Sequence, residues 1–83
     1  MDKEARYQRL KNIISIYLPE DIAIGDITAD SHMINELNIN SANLVDIVLD
    51  VEDAFDIVLE NEDMDKMLTV QDALEIIDGK LGL

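Results

Sequence analysis

The sequence predicts an all-α fold with three main helices, one short helix and a long loop between the first two. Two segments, residues 2–18 and 41–56, carry apolar side chains at steps of three and four, the spacing of a helix that buries one face. Between them, residues 19–40 have no sustained period and are rich in turn-forming residues. A chain of 83 residues has room for one hydrophobic core, so we expect a single domain over residues 1–83.

The first helix is predicted over residues 2–18. Asp2 and Glu4 lie near its start, where the helix dipole favours acids. Pro19 is expected to end it, because the residue before a proline is disfavoured in helical geometry. The apolar stripe of this helix comprises Tyr7, Leu10, Ile13, Ile14, Tyr17 and Leu18.

Apolar residues are scattered through the long loop, which we therefore expect to be anchored to the core. They are Ile22, Ile24, Ile27, Met33, Ile34, Leu37 and Ile39. A loop of this length inside a compact domain is uncommon and tends to be functional.

The second helix has the strongest helical pattern and carries an apolar pair outside its main stripe. The stripe comprises Leu44, Ile47, Val48, Val51 and Phe55. Val45 and Leu49 lie off this stripe beside Asp46 and Asp53. They could pack against the long loop, or remain exposed as an apolar strip ringed by acids, which would mark a partner site.

The C-terminal part predicts one short and one longer helix. Residues 60–66 are expected to form a short helical segment, with Met64, Met67 and Leu68 facing the core. Thr69 is predicted to cap the last helix, over residues 70–78, in a capping box with Asp72. Gly79 is predicted to end that helix.

Composition excludes several classes of function. The chain has no cysteine, which excludes disulfides, thiolate zinc sites and a cysteine nucleophile. A net charge of −13 argues against binding to nucleic acid or to an anionic membrane. No apolar run is long enough to span a bilayer, and no signal-peptide segment follows the charged N-terminus, so we predict a soluble cytoplasmic protein.

No residue predicts catalysis or a dedicated metal site. His32 is the only histidine, and we expect an exposed loop residue without a catalytic role. The acidic run at residues 60–65 lacks the alternating ligands and central glycine of an EF-hand loop. With 19 acids in the chain, pairs of carboxylates arise by chance and predict nothing.

The charge is distributed unevenly. Residues 12–65 contain no lysine or arginine, so every formal charge there is acidic. Such a segment destabilises the fold by self-repulsion. It is either a solvated face that keeps the protein soluble or a docking surface for basic partners.

Ser41 is the most informative polar residue, because it lies where the long loop meets the second helix. One interpretation is that Ser41 is the N-cap of this helix, a role that serine fills well. It can also be read as a covalent attachment point, since a helix N-terminus suits a phosphate. Position alone does not separate these compatible interpretations.

Three segments together resemble the acyl carrier protein family. Residues 36–48, ELNINSANLVDIV, resemble the segment around the family's modified serine. Residues 51–57, VEDAFDI, resemble the end of its second helix, and residues 68–73, LTVQDA, the start of its last helix. The resemblance covers essentially the whole chain, including its size, helix spacing, long first loop and acidity.

The resemblance implies a four-helix bundle that is a carrier and has no catalysis of its own. A phosphopantetheinyl transferase would attach 4′-phosphopantetheine from coenzyme A to Ser41, and acyl groups would be carried on its thiol as thioesters. Partner enzymes with basic patches, in fatty acid, polyketide or related biosynthesis, would act on a monomeric carrier. The family's partner-facing positions correspond to Ala42, Val45, Asp46, Leu49, Glu52 and Asp53.

Three residues depart from the family's pattern around the serine. Asn40 replaces the usual aspartate, Ala42 replaces a large apolar residue, and Asn38 replaces a glycine. These departures favour a specialised carrier with its own transferase or partners over a housekeeping one. The alternative is an unmodified acidic interaction or regulatory protein on the same scaffold. A peptidyl carrier is disfavoured, because such modules are less acidic and often place histidine beside the serine.

Overall fold

Four helices make up the regular structure of the computed structural model, which describes residues 2–82. They are α1 (Lys3–Ser15), α2 (Ser41–Phe55), α3 (Asn61–Lys66) and α4 (Val70–Lys80). Residues 2–82 contain no strand, only one isolated bridge between His32 and Thr69. The predicted all-α class, with three long helices and one short one, is confirmed. Met1 and Leu83 of the predicted domain lie outside the described residues.

The core is aliphatic and receives side chains from α1, α2, α4 and the long loop. The buried side chains are Leu10, Ile14, Ile27, Met33, Leu37, Ile39, Ile47, Val48, Val51, Phe55, Leu59, Met67, Val70, Ala73, Leu74 and Ile77. The predicted stripes of α1 and α2 supply the apolar side chains that these helices bury, with Tyr7, Ile13, Tyr17, Leu18 and Leu44 partly buried at the edge.

Helix α1 ends earlier than predicted. It stops at Ser15, and the amides of Ile16, Tyr17 and Leu18 donate to carbonyls three residues back instead of four. The apolar period continues through this tighter turn, so it does not reveal where the α-helix ends. Its N-cap is Asp2, whose Oδ1 accepts the Ala5 N–H at 2.8 Å.

The long loop is anchored to the core as expected, although not by all its apolar residues. Four are buried (Ile27, Met33, Leu37 and Ile39), whereas Ile24 and Ile34 are 42% and 40% exposed. Ile24–Asp26 form a single 3-10 turn that the sequence pattern did not predict. The Met33 N–H donates to the Leu68 carbonyl, and the Val70 N–H donates to the Ser31 carbonyl. These bonds fix the loop to the connection between α3 and α4.

The start of α4 is as predicted, and its end is not. Thr69 Oγ1 accepts the Asp72 N–H and Asp72 Oδ2 accepts the Thr69 N–H, both at 3.1 Å, which completes the capping box. Gly79 lies inside the helix, and the later Gly82 adopts a positive φ of 79°. Leu68, expected to face the core, is 52% exposed.

Two ion pairs join α4 to its neighbours. Arg6 Nε of α1 lies 2.6 Å from Asp78 Oδ1, with both side chains largely buried. Lys80 Nζ lies 2.9 Å from Asp63 Oδ2 of α3. This contact raises the pKa of Lys80; the Glu60 N–H and Lys80 lower the pKa of Asp63.

Candidate attachment and docking site

The N-cap of α2 is Asn40. Its Oδ1 accepts the Ala42 N–H at 2.8 Å, and its carbonyl accepts the Leu44 N–H at 3.0 Å. Ser41 is the first residue of the helix. The interpretation of Ser41 as the cap is therefore wrong: asparagine caps a helix as well as serine does, and Asn40 has the extended backbone and the side-chain hydrogen bond of an N-cap.

The Ser41 side chain is exposed and has no role in holding the fold. Within residues 2–82, no group is hydrogen-bonded to its hydroxyl. The N–H groups of Ser41 and Asn43 also have no acceptor in that part of the chain, as expected for the first turn of a helix. This first turn holds no acid, although the chain has 19.

These features suit a phosphate ester on Ser41. Free N–H groups and the positive end of the dipole of a 15-residue helix favour an anion at this position. The absence of an acid in the first turn removes the nearest repulsion. The acids of α2 begin with Asp46, more than one turn further on.

The loop that leads into α2 has a left-handed residue, Asn38, with φ of 55°. Asparagine tolerates this conformation better than most residues other than glycine, which explains how it can stand where the family has glycine. The next residue, Ile39, is buried, and its N–H donates to the Met33 carbonyl at 3.0 Å. The loop segment that precedes Ser41 is therefore held in place by packing and by a backbone hydrogen bond.

The outward face of α2 combines apolar and acidic side chains. Val45 and Leu49 are 53% and 57% exposed, so of the two predicted outcomes for this pair, exposure is the observed one. Ala42, Asp46 and Asp53 are exposed as well. Spacings of three, four, seven and eleven residues place all five on one side of the helix. We call these five residues the α2 face.

Glu52, the sixth predicted contact residue, is only partly exposed. Its Oε2 accepts the Leu59 N–H at 2.8 Å, and its carbonyl accepts the Ile57 N–H at 3.2 Å. The side chain therefore holds the connection between α2 and α3. The resemblance placed Glu52 among the predicted partner-facing residues but gave no signal of this structural contact.

Comparison with known proteins reveals close relatives along the whole chain. No family model matches it. Acyl carrier proteins from Coprothermobacter proteolyticus and Thermotoga maritima are 35% and 34% identical to it, covering 98% and 96% of this chain and 96% of each relative. The chain belongs to the acyl carrier protein family. A solved structure of the acyl carrier protein from Enterococcus faecalis has a TM-score of 0.79 and 30% identity, covering 96% of this chain and 99% of that one.

Membership of the acyl carrier protein family confirms the resemblance and gives the chain the role of a carrier and not of a catalyst. It implies a covalently held prosthetic group and partner enzymes. Within residues 2–82, no helix is both long and apolar enough to cross a membrane.

His32 has a structural role in this acyl carrier protein. It is half-buried, whereas the sequence predicted an exposed residue, and its backbone pairs with Thr69. Its Nδ1 accepts the Asn35 N–H at 3.2 Å, and its carbonyl accepts the N–H groups of Glu36 and Leu37. These bonds shape the turn that precedes Asn38.

Proposed function

We propose that this carrier holds acyl groups as thioesters on a 4′-phosphopantetheine attached to Ser41. The observation that carries the proposal is that the Ser41 hydroxyl is exposed and unused by the fold, while Asn40 caps the helix in its place. The prosthetic group, when bound, would supply the thiol that this cysteine-free chain lacks.

The attachment step needs only a nucleophilic hydroxyl from this chain. The Ser41 oxygen would form a bond to the phosphorus that bears the pantetheine of coenzyme A, and the phosphoanhydride bond to the nucleotide would break. The hydroxyl proton would leave to the transferase or to water. The free N–H groups of the first turn would lie beside the new phosphodiester and stabilise its negative charge.

The α2 face would dock the enzymes that act on this carrier. Val45 and Leu49 offer exposed apolar area, and Asp46 and Asp53 offer charges for a basic patch. We include Ala42 and Glu52 at the edges of this contact, with Glu52 restricted by its bond to Leu59. We also propose that the carrier is monomeric, as the resemblance implies, and that it is cytoplasmic, as the sequence predicts.

The departures around Ser41 favour a specialised carrier in fatty acid, polyketide or related biosynthesis. Asn40 places an uncharged amide beside the attachment residue, with its oxygen already bonded to the Ala42 N–H. Ala42 leaves a smaller apolar contact at the start of the docking face. A transferase suited to an aspartate and a large apolar residue would find neither, so we infer a dedicated transferase or partner set.

The test is the intact mass after incubation with coenzyme A, magnesium and a phosphopantetheinyl transferase. We expect the wild-type protein to gain one phosphopantetheine and the Ser41→Ala variant to gain none. Ser15→Ala is the matched control, since Ser15 donates to the Asn12 carbonyl inside α1, and this variant should be loaded normally. Loading that persists in Ser41→Ala would show that the attachment residue is a different one.

A second candidate is an unmodified acidic interaction protein, the alternative that Asn40 and Ala42 leave open. It would bind a basic partner through the α2 face with an affinity that falls steeply as salt rises. A modified carrier would show the same salt dependence, so modification of Ser41 decides between the two.

A further inference from the structure

A shallow groove lies between α1 and the C-terminal half of α2, outside the five residues of the α2 face except at Asp53. Its volume is about 360 Å³. The lining residues are Arg9, Ile13, Ile16, Asp50, Asp53 and Ala54. We call it the α1–α2 groove.

One wall of the groove is a regular stripe on α1 and the residue that follows it. Arg9, Ile13 and Ile16 are separated by four and three residues, which places them along one edge of the helix. Ile16 is 73% exposed, more than any other large apolar residue among those described. Arg9 is exposed, and it makes no ion pair within residues 2–82.

The other wall comes from α2 and is held in place by a hydrogen bond. Asp50 Oδ2 accepts the Tyr17 hydroxyl at 2.6 Å, which ties this part of α2 to the end of α1. Ala54 and Ile13 are partly buried against the core and provide an apolar floor. Asp53 is exposed, and it too has no ion-pair partner among residues 2–82.

Asp53 makes the groove continuous with the α2 face, because it belongs to both. At a rise of 1.5 Å per residue, Asp53 lies about 18 Å along the helix from Ser41. A partner of ordinary footprint, about 800 Å² on each side, can cover both places at once. The combined surface carries exposed apolar area at Val45, Leu49 and Ile16, acids along α2 and the cation Arg9 on α1.

We propose that an enzyme acting at Ser41 docks on the α2 face and also fills the α1–α2 groove. The occupant is a partner segment with apolar side chains over Ile13 and Ile16, a basic group toward Asp53 and an acidic group toward Arg9. This inference rests on the proposed function, because it assigns the groove to the enzymes that use Ser41.

A substitution at Arg9 distinguishes this proposal from a general electrostatic attraction between an acidic carrier and a basic enzyme. If only the net charge of −13 mattered, Arg9→Glu would make the carrier more acidic and would strengthen association with a basic partner. If a partner acid faces Arg9, the same change places like charges together and weakens association. The two accounts therefore predict opposite signs.

The experiment measures KM and kcat for transfer of phosphopantetheine to the intact protein, with a transferase that modifies the wild type. Ile16→Gln should raise KM about three- to tenfold, because one exposed apolar contact is lost. Arg9→Glu should raise KM about threefold or more, because it places like charges together. The kcat should stay unchanged, because neither residue lies near the reacting hydroxyl. Circular dichroism should show that both variants fold like the wild type.

Val58→Gln is the matched control, because Val58 is 70% exposed but lies in the connection between α2 and α3. Its KM should equal that of the wild type. An unchanged KM for Ile16→Gln, a lower KM for Arg9→Glu, or an equal rise for Val58→Gln would each overturn the groove proposal. Failure of every transferase to modify the wild type would instead contradict the proposed function, and with it the role of the groove.

Discussion

At the scale of single residues, Asn40 and Ser41 have different roles at the start of α2. Asn40 satisfies the Ala42 N–H, and Ser41, one position later, leaves its hydroxyl exposed. An N-cap side chain accepts an N–H of the first turn, whereas the Ser41 side chain is exposed and has no hydrogen bond within residues 2–82. Separating the two positions leaves the Ser41 hydroxyl free without loss of the cap.

This division predicts different stability effects at the two positions. Asn40→Ala should lower the free energy of unfolding by about 1 kcal/mol, because the Ala42 N–H loses its acceptor. Asn40→Asp should change it little, since aspartate caps equally well, and Ser41→Ala should also be nearly neutral. Urea denaturation of the three variants gives these values. A larger loss for Ser41→Ala than for Asn40→Ala would contradict the assignment of the cap.

The sequence predicted the importance of this region but not its local geometry. Asn40 and Ser41 are both good caps, so propensity cannot choose between them. The hydrogen bond between Glu52 and the Leu59 N–H extends beyond the end of α2, so helical spacing does not predict it. The exposure of Val45 and Leu49 was one of two open outcomes, because it depends on the path of the long loop.

At the scale of elements, the sequence predicts which helices form better than it predicts where they end. Apolar spacing located α1, α2 and α4, because burial of one face requires that spacing. The apolar pattern continues beyond the end of α1, because the tighter turn at residues 16–18 keeps a similar spacing of side chains. The sequence predicts the end of α4 at Gly79, but a helix tolerates an interior glycine at a cost of about 1 kcal/mol.

Helices α1 and α2 are joined by the hydrogen bond from Tyr17 to Asp50. The bond, with burial and the nearby charges of Asp50 and Asp46, raises the pKa of Tyr17 to about 12 from an ordinary value of 10.0. The folded state therefore favours the protonated phenol. This contribution to stability is complete below the ordinary pKa and is lost as the pH rises through the folded one.

Tyr17→Phe should therefore destabilise the protein at neutral pH, and the difference from the wild type should shrink between about pH 10 and pH 12. The measurement is the free energy of unfolding of both proteins across this range. The Lys80–Asp63 pair also weakens as the pH rises through the raised pKa of Lys80, but it does so equally in both proteins.

Tyr7→Phe is the control, because the Tyr7 hydroxyl has no hydrogen bond within residues 2–82 and its ring can keep its contact with Lys11. The free energy of unfolding of Tyr7→Phe should differ little from that of the wild type at neutral pH, because the substitution removes no hydrogen bond. A Tyr17→Phe difference that does not change with pH would contradict the role given to the Asp50 bond.

At the scale of the whole molecule, the dominant feature is a large excess of acids over cations. Nineteen acids face six cations. Two of the cations, Arg6 and Lys80, are used to tie α4 to α1 and to α3. The remaining acids, including those of the α2 face, repel one another and lower the stability of the compact state.

Screening of this repulsion should stabilise the protein. We expect the melting temperature to rise as NaCl increases from about 0.01 M to about 0.2 M, and to rise further with millimolar magnesium. The double variant Asp46→Asn/Asp53→Asn should start from a higher melting temperature and respond less. A melting temperature indifferent to both salt and magnesium would show that repulsion is not a significant term in this fold.

The most direct test of the central claim is the intact mass of the protein purified from its own cells, with the modified residue located by peptide fragmentation. The account predicts a phosphopantetheine on Ser41, alone or bearing an acyl group whose mass would then identify the cargo. A native protein that carries no group on Ser41, under conditions in which the cell uses it, would contradict the claim and leave an acidic interaction protein built on the carrier fold.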